Sequence, residues 1–343
     1  MRRLPAEWEP QSAVMLTWPH DRSDWRPWLQ DTDRVFTALA AQITRYQQLL
    51  IICRDDSHRS HIRNLLRASN TAVLNHSHFA IAASNDSWAR DHGPITVIDN
   101  QQPRLLNFIF NGWGGKYTAD LDNQITVSAR AQGVFANRQY QSIPLVLEGG
   151  SIDSDGHGTL LTTSACLLAP TRNPGLSRND IEGQLKQHLG CSRVLWLEHG
   201  WLAGDDTDSH IDMLARFCSP DTIAFTSCDD HDDPHHTPLQ AMRSELKSLR
   251  QINGEPYRLL PLPIPRPIYH EGRRLPASYA NFLIINRAVL VPTYGDPMDQ
   301  IALRRLGWAF PGRDIIGIDA RPLIRQFGSL HCVTMQLPAG ILG

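Results

Sequence analysis

The sequence predicts an α/β fold, and three observations support it. Short apolar runs of strand length alternate with stretches of helical periodicity along the whole chain. Helix start and stop signals fall where one pattern gives way to the other. No Pro/Gly/Ser-rich linker or low-complexity segment divides the 343 residues, so residues 1–343 read as one domain.

Residues 46–53 form an apolar run that reads as a buried strand, and 55–69 follow with Ile62, Leu65 and Leu66 at helical spacing. Residues 104–110 read as a strand, 119–135 as a helix, and 144–149 and 158–169 as strands. Ser177 and Asp180 have the spacing of a capping box, which starts a helix through His188 that Gly190 stops. Strands at 194–197 and 222–226, a helix over 238–250 and a long apolar strand over 281–291 come next. Pro261, Pro263, Pro265 and Pro267 mark an extended connector. A helix over 299–307 and strands at 313–318 and 333–337 close the chain.

Thirty-three basic residues face 35 acidic ones, a formal net charge of -2, and no basic run offers a footprint for nucleic acid. Two arginines open the chain, but no apolar stretch follows them as in a secretory signal. Nowhere does an uncharged apolar segment reach the roughly 18 residues that span a bilayer. A soluble cytoplasmic protein is therefore expected, with no nucleic-acid or membrane partner; a homodimer stays open. Cys53, Cys166, Cys191, Cys218, Cys228 and Cys332 form no C-x-x-C pair and suit neither a disulfide framework nor a zinc site. The ligand-rich run from His231 to His236 lies between a strand pattern and a helix pattern and reads as a solvated loop. No metal or other cofactor is expected.

Four signatures carry reactive groups: Trp88-Ala89-Arg90-Asp91-His92-Gly93-Pro94, Leu147-Glu148-Gly149-Gly150, Asp208-Ser209-His210-Ile211-Asp212 and Gly328-Ser329-Leu330-His331-Cys332. Singly, each has an ordinary reading. Asp91 could cap a turn, and Glu148 could mark a tight strand exit. On a strand, His210 and Asp212 would share one face because side chains alternate. A late free cysteine is usually a buried hydrophobe.

Together, in this order, they form the signature of the guanidine-modifying superfamily. The chain resembles the agmatine deiminases, grouped with the bacterial-type peptidylarginine deiminases. The resemblance covers nearly the whole chain, from Pro5-Ala6-Glu7-Trp8 and Trp18-Pro19 through Asn85-Asp86-Ser87-Trp88 and Asn111-Gly112-Trp113-Gly114-Gly115. It continues with Ala277-Ser278-Tyr279-Ala280-Asn281-Phe282 and Tyr294-Gly295-Asp296-Pro297 and ends with Gly328 to Pro338. It implies a five-bladed α/β propeller (the pentein fold) of ββαβ units around a pseudo-fivefold axis. Asp91, Glu148, His210, Asn281 and Cys332 are 57, 62, 71 and 51 residues apart (148−91, 210−148, 281−210, 332−281), against about 69 for a fifth of the chain.

The resemblance also implies roles. Asp91 and Asp212 would hold a guanidinium, whose planar fork of N–H donors suits paired carboxylates. Cys332 would attack its carbon, and His210 would protonate the leaving ammonia and then activate water. Glu148 would hydrogen-bond His210. Either a protonated His210 or the bound guanidinium could stabilise the thiolate. Trp88 and Trp113 would cover the substrate's methylenes, with Asn281 among its contacts. The distal end of a pocket for agmatine is expected to present Asp205, Asp206 and Asp208 and no arginine. The segment Gly204–His210 is one residue shorter than in the plant-type enzymes. Deimination of peptidyl-arginine, amidino transfer and a non-catalytic binding module are the competing readings.

Overall fold

A hairpin followed by a crossover helix and a further strand recurs five times among residues 2–135 and 138–342, which the computed structural model describes. Strands Ile95–Asp99 and Gln102–Ile109 pair antiparallel; after helix Ile125–Ala131, strand Gln139–Val146 joins the second in parallel. The same order holds for Ile152–Ser154, Thr159–Thr163 and Arg193–Leu197 around helix Arg178–Leu189. It holds again for Ala215–Ser219, Thr222–Thr226 and Arg258–Leu262 around helix His236–Ser248. Leu283–Ile285, Ala288–Thr293 and Asp314–Asp319 repeat it around helix Met298–Ala309. The remaining unit is split between the chain ends. There Thr334–Pro338 pairs antiparallel with Gln11–Thr17, and Gln48–Cys53 joins in parallel after helix Leu29–Ile43. The helix in each unit follows from geometry, since parallel neighbours need a long crossover.

The central strands are apolar along their whole length because both faces are covered. In Gln11–Thr17, Val14 and Leu16 enter one hydrophobic cluster while Ala13 and Met15 enter a second. In Gln48–Cys53, Leu49, Ile51 and Cys53 likewise separate from Leu50 and Ile52. Period-two alternation therefore divides each strand between two cores instead of between core and water.

Several elements differ from their sequence-based assignment. The strand expected over 158–169 ends at Thr163, whose hydroxyl caps a short helix Ser164–Leu167 by accepting from Cys166 N. The long strand expected over 281–291 is a hairpin, turned at Asn286-Arg287 with Arg287 in the left-handed region at φ 63°. Pro261 lies in the edge strand Arg258–Leu262, where a missing N–H costs no ladder bond. Part of the helix expected over 119–135 is Ile125–Ala131, preceded by a 3-10 turn at Asp122–Gln124.

The repeat explains the spacing of the candidate residues. Asp91 precedes Ile95–Asp99, Glu148 precedes Ile152–Ser154, and His210 and Asp212 precede Ala215–Ser219. Asn281 precedes Leu283–Ile285, and Cys332 precedes Thr334–Pro338. Each unit presents one marker just ahead of its first strand. Ile51, wholly buried in the parallel strand of the split unit, tests how far this unit supports the rest. Ile51→Ala is expected to cost about 2–5 kcal/mol, read as a lowered urea midpoint.

Candidate active site

Three of the markers, Asp91, His210 and Cys332, come together with Asp212 around Gly150. A Cβ on Gly150 would lie 2.6 Å from His210 Nδ1, 2.9 Å from Asp91 Oδ1 and 3.2 Å from Asp212 Oδ2. Cys332 Sγ is 3.7 Å from Asp212 Oδ2. Asp91 sits in the one-turn helix Ala89–His92, anchored where Arg90 N donates to Cys332 O at 3.1 Å. Gly150 N and Trp113 Nε1 both donate to its carboxylate at 3.0 Å. His210 and Asp212 lie at a 3-10 turn, Ile211–Met213, and not on a strand as the sequence suggested. They meet because that turn is tight, not because strand side chains alternate.

Glu148 departs from its expected role. Its carboxylate is taken by Arg172, whose Nε lies 2.9 Å from Oε1 and 3.1 Å from Oε2, both residues being fully buried. No hydrogen bond joins Glu148 to His210, and among the described residues His210 Nε2 is a buried atom without a hydrogen-bond partner. Arg172 also donates to Asp208 Oδ2 at 2.6 Å and to Thr207 O at 2.8 Å. It bolts the loop that carries His210 to the Glu148 turn. Arg172 has no sequence signal beyond its place between two prolines in Pro170-Thr171-Arg172-Asn173-Pro174.

A cavity of about 500 Å³ opens above these groups, with Asp91, His210 and Cys332 among its lining residues. Trp88 and Trp113 both line it, 6.4 Å apart edge to face. Trp113 holds a left-handed backbone at φ 56° between Gly112 and Gly114, and a Cβ on Gly112 would sit 2.1 Å from Tyr117 O. That conformation is costly for a tryptophan, and here it aims the indole N–H at Asp91. Asn281 does not line the cavity. It is fully buried beside Cys332, its Nδ2 3.2 Å from Cys332 Sγ.

The distal expectation needs correcting too. Only Asp206 of the three acidic residues lines the cavity, and Tyr117 donates to it at 2.8 Å. Asp208 is paired with Arg172 and with Lys116 Nζ at 2.7 Å, and Asp205 accepts from Thr207 and Ser209 within its own loop. Asp208 and Ser209 both take φ 65°, which lets the shortened segment still deliver His210. Arginines do line the cavity. Arg273 lies over the Phe327 ring at 4.0 Å, and Arg325 donates to Asp31 at 3.3 Å. Asp24, Asp86 and Glu271 also face it.

Burial sets the protonation of the centre. It pushes Asp91 well above the usual carboxylate range, helped by the charges of Asp212 and Glu148. It pushes Cys332 well above the ordinary thiol, with Asp212 and Asp91 adding to the effect. His210 falls to about 3 through burial, so its imidazole is neutral. For Asp212, burial acts upward, but the hydrogen bond and charge of His331 outweigh it and hold the carboxylate low. Burial also lifts Asp86 and Asp206 to about 6 each.

Among the described residues, Glu148, Cys166 and His210 bring ligand-type atoms within 4.8 Å of one another. Arg172 already occupies Glu148 there, and its charge opposes a metal cation beside it. In the run from His231 to His236, His235 Nε2 accepts from Ala203 N at 2.7 Å and its Nδ1 lies 2.9 Å from Asp233. That ring serves the loop's own structure.

An α/β chain of five repeated units, presenting a cysteine, a neutral histidine and paired carboxylates in one buried centre, defines a cysteine-dependent class of site suited to a cationic, planar substrate. The Porphyromonas-type peptidyl-arginine deiminase family matches residues 3–338, and the chain belongs to that family. It is 34% identical over 358 residues to the agmatine deiminase of Stutzerimonas stutzeri, covering 98% of this chain and 95% of that one. A structure of C. jejuni agmatine deiminase with substrate bound, its cysteine changed to serine, superposes with TM-score 0.90 at 39% identity, covering 99% and 97%. A Porphyromonas gingivalis structure, provisionally named an arginine deiminase, does so with TM-score 0.95 at 49% identity, covering both chains fully. No helix among the described residues is long and apolar enough to cross a membrane.

Arg172→Met removes the counter-charge of a fully buried carboxylate. It is expected to destabilise the protein by about 3–5 kcal/mol, measured by equilibrium denaturation, because Glu148 is left buried and unpaired.

Proposed function

We propose that the chain is an agmatine deiminase, hydrolysing agmatine to N-carbamoylputrescine and ammonia, a step toward putrescine. The observation that carries this reading is the pair Asp91 and Asp212 gathered at Gly150, beside Cys332 and a neutral His210. Neither carboxylate has an arginine or lysine paired to it among the described residues, and Asp212 Oδ1 is buried without a hydrogen-bond partner. A guanidinium supplies the cation and the N–H donors that this arrangement lacks.

The bound cation offsets the Asp91 and Asp212 charges that hold the Cys332 proton on. Binding therefore favours transfer of that proton, with neutral His210 as the acceptor; substrate, not a resting imidazolium, prepares the thiolate. The thiolate attacks the guanidinium carbon to give a tetrahedral adduct. The imidazolium of His210 protonates the departing NH3, leaving an amidino-thioether on Cys332. His210 then takes a proton from a water that attacks this carbon, and collapse of the adduct releases the ureido product and regenerates Cys332. Glu148 acts through Arg172 and the His210 loop, not through a bond to His210. All the groups required are side chains, so no cofactor enters the scheme.

The reading extends to the five units, which we take as the blades of a five-bladed propeller forming one catalytic domain over residues 1–343. It also takes the protein to act in the cytoplasm and leaves a homodimer open. A second reading, deimination of an arginine residue in a peptide, is favoured by Arg273 and Arg325 in the cavity wall, since both can donate to the backbone carbonyls that flank such a residue.

Steady-state kinetics on agmatine, free arginine and a blocked arginyl peptide separate the two. Asp24, Asp86, Asp206 and Glu271 outnumber the two arginines, so kcat/KM for agmatine is expected to exceed that for arginine by at least about tenfold, some 1.4 kcal/mol. The peptide proving the best substrate would replace agmatine with the protein-modifying reading. Cys332→Ser is expected to abolish turnover, and full activity in that variant would end the covalent scheme. The cavity carboxylates give a pH dependence as well. Asp86 and Asp206 are ionised above about 6 and attract a distal ammonium; below it they are neutral. KM for agmatine is therefore expected to rise as pH falls through about 6, with little change in KM between pH 7 and 8.

A further inference from the structure

His331 lies next to the nucleophile in sequence, yet its side chain points the other way, between two buried carboxylates. Its Nδ1 is 2.8 Å from Asp212 Oδ2 and its Nε2 is 2.7 Å from Glu7 Oε2. A carboxylate only accepts, so both contacts are satisfied when both ring nitrogens carry hydrogen, that is, by the charged ring. Glu7 is itself fixed. Arg216 Nη2 donates to its Oε2 at 2.7 Å, Ile284 N donates to its Oε1 at 2.6 Å, and Arg90 Nη2 stands 3.9 Å away. Arg216 is anchored in turn on Asp153 at 3.3 Å and on Phe282 O at 2.9 Å. The charged groups facing His331 are thus Asp212 and Glu7 directly, with Arg216, Arg90 and Asp153 behind Glu7 and Cys332 alongside. The ring's backbone is pinned as well, His331 N donating to Asn281 Oδ1 at 2.9 Å.

The contact takes one oxygen of Asp212 and leaves the other, Oδ1, buried and without a hydrogen-bond partner. We infer that His331 is a positioning residue, clamped by Glu7, which fixes the Asp212 carboxylate beside Cys332 and leaves its second oxygen free to accept from a guanidinium. Glu7 and His331 both fall in segments that resemble the family, but neither contacts the cavity. The clamp assigns them work that no contact with substrate explains. This inference rests on the guanidine-hydrolase reading and adds to it the means by which one carboxylate is aimed.

Three variants test it in the full-length protein, assayed on whichever guanidine the wild type turns over. His331→Phe keeps a ring of similar size and removes both donors. Its kcat/KM is expected to fall at least about a hundredfold, the scale of a misplacement of about 1 Å at the reacting centre. His331→Gln keeps one donor toward Asp212 and is expected to recover activity to within about tenfold of wild type. Glu7→Gln leaves His331 in place but replaces the carboxylate that accepts from its Nε2 with a neutral amide. Asp212 is then held less firmly, and kcat/KM is expected to fall at least about tenfold, with most of the loss in KM. Folding is checked by thermal melting, and the Glu7→Gln kinetics read the clamp even where His331→Phe does not fold. A folded His331→Phe enzyme with wild-type kcat/KM, a His331→Gln enzyme no better than it, or a folded Glu7→Gln enzyme with wild-type kcat/KM overturns the clamp. Absence of turnover in the wild type counts instead against the functional reading itself.

Discussion

Charge taken out of water must be answered, and the way this protein answers it divides its buried carboxylates into two groups. Glu7 and Asp153 share Arg216, and Glu148 has Arg172. These pairs are enclosed by the protein and complete within it. Among the described residues, Asp91 is met by two N–H donors and a neutral imidazole, and Asp212 by a histidine on one oxygen. Burying a carboxylate without a matched cation is expensive unless a partner arrives or the group takes up a proton. The rise of Asp91 far above the ordinary carboxylate range is that expense made visible. The chain thus keeps structural charges paired and leaves one acidic position to be completed by a cation from outside.

The repeated unit makes this possible. A residue just ahead of the first strand of each unit is fixed by a short turn on a buried scaffold. Asp91, Glu148, the His210–Asp212 turn, Asn281 and Cys332 all occupy that place. Five separate turns, each rigid, then supply different chemistry without any of them having to be long. The split unit matters most, because Cys332 lies two residues before a strand that pairs with Gln11–Thr17. The same N-terminal region supplies Glu7. Cys332 and Glu7 are brought together by closure of the chain ends, so docking of the last strand and assembly of the buried centre go together.

Much of this was legible in the sequence, for reasons that can be named. Doubly covered strands such as Gln48–Cys53 are apolar runs, and the capping box at Ser177 and Asp180 is present in the structure as read. The residues that gather in the buried centre stood out because rare types in a fixed order resemble a known family. What escaped was information held in three dimensions. A one-turn reversal at Asn286-Arg287 lacks glycine, so a hairpin read as one strand. Helix Leu29–Ile43 received no assignment although Val35, Phe36, Leu39 and Ile43 are all buried. Arg172 and Arg216 are single arginines with no motif around them, and only the fold reveals that they lie opposite carboxylates from distant segments. Glu148 was found but given the wrong neighbour, because proximity along a family motif does not say which cation takes the hydrogen bonds.

The same distinction bears on specificity. At the floor of the cavity the charges are unbalanced, and the balance can be restored only by a cation of guanidinium shape. Toward the mouth, Asp206 is softened by Tyr117 and by burial, while Arg273 and Arg325 are already engaged with Phe327, Gly204 and Asp31. An engaged arginine has donors left over but less freedom to follow a ligand, so it penalises a misplaced ammonium more than it rewards a carboxylate. The floor therefore selects the reacting group strongly and the mouth selects its tail weakly. Chemistry in this protein is specified by what is missing from the buried centre, and the choice among guanidines by a mixed wall in which acidic groups outnumber arginines.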